Sequence, residues 1–348
     1  MIKGLVHRLA LRIEAAADRV WGRTSDGRAI DPFIGYATPD HLVLRGRVLS
    51  KLRHASPVSG QSRFANFRQI LRMFLTDEVR DATVRCGDVT AVTDEEGYFT
   101  LLLPRDGRTG WITELVQVEG AQDSVTCPVF VPHSQARFIV VSDIDDTMIE
   151  TGAYSLMRNL YTSFTGNATT RHVFADAVAL MENLSDKGRN PVYYVSSSPW
   201  NLHGFLADVF RNSGLVRGPM FLRDLGLSTT KFITDSHGNH KGASIDVILG
   251  ANPELPVILL GDTGQHDAQI YRDVIDRHPG RIIAVGLRTP GSGMDAADRA
   301  DLQAIADTGV HRFAERDFNG MYEELQSLRP DRFPASQPAE RRRAISQN

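Results

Sequence analysis

Three carboxylates fall within four residues in the run FIVVSDIDDT, as Asp143, Asp145 and Asp146, directly after a stretch apolar enough for a buried strand. Carboxylates this close repel one another, and a cation relieves that cost. An acidic turn that caps a helix is the bland alternative. A second apolar run, VYYV, ends at Ser196-Ser197-Ser198-Pro199-Trp200. A serine hydroxyl followed by backbone N–H groups can hold phosphate oxygens, although a plain helix cap has the same look. Lys241 opens an expected helix, where a cation opposes the helix dipole; a buried anionic phosphate would justify that placement. The chain has only five lysines against thirty-four arginines, and Lys231, among threonines, is the nearest competitor for the role. A further apolar run, VILLGD, ends at Gly261-Asp262, with Asp267 five residues on. Glycine before an aspartate lets backbone approach a metal closely. His266, beside two better carboxylates, reads as an orienting or surface residue.

These residues need a scaffold that brings strand ends together. From Arg137 onward, apolar runs ending FIVVSD, VYYVSS, MFLRD, VILLGD and RIIAVGL alternate with amphipathic stretches at 172–186, 200–213, 242–250 and 266–277. That rhythm predicts βαβ units and an open parallel sheet, whose ligands sit beyond the carboxyl ends of its strands. This α/β domain is expected over 137–328. Residues 39–136 have a different texture: HLVLRGRVL, DATVRCG, VTAVTDEEGYFTLLLP, WITELVQVEG and SVTCPVFVP are short strands broken by turns, with a hairpin at Asp94–Gly97. They predict a small all-β sandwich, interrupted at 63–75 by RFANFRQILRMFL, a helix or an insertion. Residues 1–38 are expected as a helix and linker. Leu5, Leu9, Ile13, Ala16 and Val20 form a stripe that packs on the protein or lies on a membrane surface. Residues 329–348, rich in Pro, Ser, Gln and Arg, are expected as a disordered tail.

Bulk properties narrow the classes. A length of 348 residues suggests about two domains. A net charge of −3, with no basic groove visible, argues against a nucleic-acid partner and a two-metal nuclease. Cys86 and Cys127 lack metal-ligand spacing and suit buried thiols in a reducing compartment. No apolar run reaches bilayer length. Arg8, Arg12, Glu14 and Asp18 interrupt what would be a signal-peptide core, so the expected location is cytoplasmic, with peripheral membrane contact through the stripe.

Strand–DxDxT, strand–Ser, Lys and strand–GDxxxxD, in that order, resemble the haloacid-dehalogenase superfamily across about 137–290. SSSPW, HKGASIDVIL and ILLGDTGQHDAQIY further resemble the catalytic domain of the actin-patch-type phosphatidate phosphatases and their bacterial relatives, with Thr263 where that family has serine. The resemblance implies a haloacid-dehalogenase-like Rossmannoid sheet with a minimal cap and a Mg2+ cofactor. It implies Asp143 as nucleophile, Asp145 as acid and base, and Ser196 and Lys241 on the phosphoryl oxygens. Thr147, Ser198 and Trp200 would contact substrate; Asp143, the Asp145 carbonyl, Asp262 and Asp267 would form the metal site. About twenty residues after Met148, and about twenty more before Lys241, leave no room for a large cap. An open site suits a substrate presented on a surface, and with the resemblance this favours phosphatidate at a membrane. A phosphatase for a soluble or protein-bound phosphoester, or an interaction protein with an inert catalytic domain, are the alternatives.

Overall fold

The computed structural model describes residues 28–50, 78–150, 173–223, 237–289, 291, 293–329 and 331–333. The amphipathic stripe at 3–21, the segment 63–75 and the spacing after Met148 that bears on a cap all lie outside the described residues.

The all-β part has seven strands: β1 (Ala29–Ala37), β2 (His41–Leu49), β3 (Thr83–Cys86), β4 (Val89–Val92), β5 (Tyr98–Pro104), β6 (Gly110–Val118) and β7 (Val125–Val131). They form one continuous sheet, ordered β4-β3-β6-β7-β1-β2-β5. All pairings are antiparallel except β1 with β7. The turn expected at Asp94–Gly97 joins β4 to β5, and the Asp94 carboxylate accepts the N–H groups of Glu96 and Tyr98. This turn brings the two ends of the strand order side by side, so the sheet curls into a barrel-like body. That corrects the expected two-sheet sandwich: alternation along a strand reports a buried face, and a curled sheet buries its face as a sandwich does. Ile30, Leu42, Leu44, Val84, Leu101, Val116 and Val129 fill the interior. The segment 29–37, read as linker, is strand β1; its Asp-Pro-Phe-Ile-Gly run hid the alternation.

Beyond Phe138 lies a six-stranded sheet in the order β10-β9-β8-β11-β12-β13, parallel throughout. Its strands are β8 (Ile139–Asp143), β9 (Val192–Pro199), β10 (Met220–Arg223), β11 (Val257–Asp262), β12 (Ile282–Arg288) and β13 (His311–Glu315). The described helices are α1 (Ala175–Ser185), α2 (His203–Ser213), α3 (His237–Ala251), α4 (Asp267–Arg277), α5 (Ala296–Asp307) and α6 (Met321–Leu328). Side-chain alternation divides the core between the sheet's faces. Val140, Tyr194, Ile258 and Leu260 pack with α1, α2 and α6. Ile139, Val141, Tyr193, Val195, Val257 and Leu259 pack with α3, α4 and α5. The chain runs outward from β8 to β10, then returns to build β11 to β13 on the other side. The strand order therefore reverses between β8 and β11, where a doubly wound sheet opens a crevice beyond its carboxyl ends. No described helix is long and apolar enough to cross a membrane. Within the expected tail, residues 329 and 331–333 are described. Phe333 is buried against Phe138 and Tyr322, and Arg332 donates to the Arg137 carbonyl.

Candidate active site

The crevice between β8 and β11 gathers most of the chemistry-bearing side chains. Asp143 is the last residue of β8, fully buried, on the same strand face as Ile139 and Val141. That face meets α3 and α4, and from them come Lys241 and Asp267. The Lys241 ammonium lies 2.8 Å from Asp143 Oδ1 and donates to Asp267 Oδ1 at 2.6 Å. An ammonium has three N–H donors, so one remains for a further oxygen. Burial alone would pull this lysine's pKa down; Asp143 and Asp267 outweigh it and hold the group protonated. Thr147, expected at the substrate, donates its hydroxyl to Asp143 Oδ2 at 3.1 Å and so orients that carboxylate.

Asp262 ends β11. Its Oδ1 accepts the Gly264 N–H at 2.6 Å, while Oδ2 is buried with no hydrogen-bond partner. Asp267 Oδ2 faces the Asp262 N–H at 3.3 Å. One carboxylate oxygen from each of Asp143, Asp262 and Asp267 lies within 4.8 Å of the others. Burial raises the Asp143 carboxyl well above its ordinary range, with Lys241 opposing and the neighbouring aspartates adding to the rise. Burial, then Asp267, raises Asp262 to about 8. Three buried carboxylates around one ammonium leave excess negative charge, which a proton or a cation would relieve. Hard oxygen donors of this kind suit magnesium. Gly261 shows how tightly the group is set. A Cβ there would stand 2.5 Å from Asp267 Oδ2 and 2.7 Å from the Tyr271 hydroxyl, which donates to the Leu260 carbonyl.

Asp145 is buried beside the serine loop. Its Oδ2 accepts hydroxyl hydrogens from Ser196 and Ser198, each at 2.8 Å, and its Oδ1 is buried without a hydrogen bond. Burial raises its pKa, and the two serine bonds pull the other way without cancelling the rise. The serine loop is itself knitted, since the Ser198 N–H donates to Ser196 Oγ at 2.9 Å. Trp200 is not placed with these groups. It opens a 3₁₀ turn, half-buried, and stacks on Phe33 of β1 at 4.3 Å. His266 is exposed at the start of α4, in the left-handed region with φ 65°, and Asp146 shares that conformation at φ 56°. Non-glycine residues held this way mark loops whose shape is set by the surrounding structure.

Two residues of the site escaped the sequence reading. Gln265 Nε2 donates to the Asp145 backbone carbonyl at 3.2 Å and ties the β11 loop to the β8 loop. Arg288, at the end of β12, is buried between the Phe174 and Phe318 rings. It donates to the Thr147 carbonyl at 3.1 Å and to Asp176 at 2.7 Å. Both stand where the strand-end rule looks. Gln265 lies inside the quoted GDTGQHD run, and Arg288 closes the apolar run RIIAVGL.

Residues 138–289 match the family model for the catalytic domain of phosphatidate phosphatase APP1. The phosphatidate phosphatase APP1 of Saccharomyces cerevisiae is 26% identical over 166 residues, covering 48% of this chain and 28% of its own length. An uncharacterized protein of Schizosaccharomyces pombe is 24% identical over 237 residues, covering 63% of this chain and 37% of its own. The chain thus spans well under half the length of these curated relatives.

Proposed function

Because residues 138–289 fall in the phosphatidate phosphatase catalytic-domain family, we propose that the chain is a phosphomonoester hydrolase acting on phosphatidate, giving diacylglycerol and phosphate. The observation that carries the chemistry is the pairing of two differently held carboxylates at one strand end. Burial raises the Asp143 carboxyl, Lys241 and the Thr147 hydroxyl favour its charged form, and a cation beside Asp262 would complete the shift to a charged nucleophile. Asp145 is buried, and burial favours its protonated form against the pull of the two serine hydroxyls.

In this reading an Asp143 carboxylate oxygen attacks phosphorus in line. The bond from phosphorus to the alcohol oxygen breaks, and that oxygen takes the proton of Asp145. Water then attacks the phosphorus of the Asp143 acyl phosphate and gives a proton to Asp145. The bond from phosphorus to Asp143 breaks, freeing phosphate. The free donor of Lys241 faces a non-bridging oxygen, and the Ser196 hydroxyl reaches another by turning from Asp145 about χ1, while Ser198 keeps its hold on the acid. The unpartnered Asp262 Oδ2 and its nearness to Asp143 fit a magnesium site formed by those two residues and the Asp145 carbonyl. When bound, the ion supplies charge neutralisation for the approach of one anion to another. Asp267, with both oxygens facing Lys241 and the Asp262 N–H, sits behind the site as the partner that fixes Lys241.

The test is phosphate release from phosphatidate in mixed micelles beside sugar phosphates, nucleotides and an aryl phosphate. Phosphatidate should lead in kcat/KM by well over tenfold, more than about 1.4 kcal/mol of discrimination. Preference for a soluble phosphoester would overturn the substrate while leaving the chemistry standing, and no phosphate release from any of them would overturn both.

A further inference from the structure

The aromatic joint between the β body and the catalytic sheet lies two residues from the serine loop, and neither the reaction scheme nor the family match gives it a role. Trp200 follows Pro199, whose extended φ of −72° makes it a stiff link to Ser198. The indole lies on Phe33 at 4.3 Å with an interplanar angle of 15°. Tyr98 of β5 approaches the same ring at 6.5 Å, and His203, the first residue of α2, lies 4.5 Å from Phe33. Arg45 of β2 locks the joint from the second side. Its guanidinium donates to the Met220 carbonyl of β10 at 3.0 Å and lies 4.4 Å from the Phe221 ring and 5.5 Å from Trp200. Strands β1 and β2 thus clamp the ends of β9 and β10, while Ser196 and Ser198 sit at the end of β9 with Asp145.

We propose that the β body is a positioning element of the active site: Phe33 and Arg45 seat Trp200, and through Pro199 they set the serine loop that grips the phosphoryl group. This rests on the phosphatase reading above. No described contact joins Phe33 or Arg45 to Asp143 or Asp145, so they act through Trp200. Loosening the joint lets Ser196 and Ser198 wander while leaving Asp143 and Lys241, held by β8 and α3, in place. The consequence is a selective loss of phosphate affinity.

The chain has three tryptophans, so Trp21→Phe with Trp111→Phe leaves Trp200 as the sole indole reporter in the full-length protein. Inorganic phosphate is titrated in saturating magnesium and read by Trp200 fluorescence, together with inhibition of aryl phosphate hydrolysis. Phe33→Ala and Arg45→Met should each weaken phosphate binding and raise KM by roughly three- to tenfold, with kcat changed far less. Phe33→Tyr should restore both. Val84→Ala, in the interior of the β body on β3, which pairs with β4 and β6 and not with the joint strands, is the control for lost stability alone and should leave phosphate affinity as it was. Phe33→Leu replaces Phe33→Ala if the latter does not fold. Unchanged phosphate affinity in both joint variants, or an equal loss in Val84→Ala, overturns the proposal while the phosphatase reading survives. Wild-type protein that neither binds phosphate nor is inhibited by it overturns the phosphatase reading, and the joint's role falls with it.

Discussion

Lys241→Met removes the ammonium and keeps an unbranched side chain of similar length. The lysine is 2% exposed and touches Asp143 and Asp267 at 2.8 and 2.6 Å. With an effective dielectric near 20, each contact is worth roughly 6 kcal/mol of attraction. Removal of the charged groups from water offsets most of that, and breaking a buried pair from one side costs about 3–5 kcal/mol. For a domain of about 150–250 residues this lowers the melting temperature by roughly 6–20 °C. The assay is differential scanning calorimetry in chelator and again in millimolar magnesium. In chelator the variant holds Asp143, Asp262 and Asp267 together without a cation, so magnesium should raise its melting temperature more than that of the wild type. Adding Asp267→Asn removes one of the stranded charges and should recover part of the loss, a coupling between neighbours that simple additivity does not give. A variant melting within a degree of wild type, with no extra gain from magnesium, would refute charge compensation as the lysine's role.

Other variants probe the remaining contacts. Asp143→Asn keeps the side chain's size, so the fold should persist while turnover drops by orders of magnitude and no covalent phosphate can be trapped; label on any other residue would reassign the nucleophile. Gly261→Ala forces a methyl against Asp267 and Tyr271 and should cost about 1–3 kcal/mol. It should also raise the magnesium concentration for half activity, and a wild-type magnesium titration would contradict the packing. Burial pushes the Cys127 thiol up to about 12 and raises Cys86, so a thiol reagent at pH 8 should label neither in the native protein and both in guanidinium. Burial also pushes His203 down to about 3, with Arg45 adding to the fall. Below about pH 6.5 the unfolded chain protonates this imidazole and the folded protein does not. Stability should therefore fall as pH drops from 6.5 toward 3, with a slope of up to about 1.4 kcal/mol per pH unit from this group. His203→Gln should flatten that slope, measured by urea unfolding, and an unaltered slope would rule the group out.

The site was legible where the residues lie at the ends of apolar runs. Asp143, Ser196 and Asp262 end or nearly end β8, β9 and β11 because buried parallel strands show as continuous apolar stretches, and the first polar residue after one marks the crevice. What each side chain bonds to was less legible. Lys241 and Asp267 were expected at the substrate and the metal, yet they also bond to each other across 26 residues of chain. Arg288 reaches Thr147 across 141 residues and Gln265 reaches Asp145 across 120, and no local periodicity records such pairings. The same holds for Trp200. Its place beside the serines suggested a substrate contact, but Phe33, which stacks on it, sits in a segment read as linker. In the β body, strand positions were readable, whereas the closure of one sheet on itself depends on which strands pair, and alternation alone does not say.

Charge balance explains why these pieces occur together. Asp143, Asp145, Asp262 and Asp267 carry four negative charges when ionised, and Lys241 supplies one positive charge among them. In the proposed reading, a proton on Asp145 and a divalent cation between Asp143 and Asp262 would bring the group to neutrality before any phosphate arrives. Without both, a phosphate dianion would enter a buried pocket of its own sign, at a cost that the low local dielectric magnifies. Asp145 is held by two serine hydroxyls, and Lys241 and Asp267 hold each other beside Asp143, with Lys241 favouring the charged form of both Asp143 and Asp145. In the proposed reaction Asp143 and Asp145 each change charge during turnover, while the Lys241–Asp267 pair keeps its own.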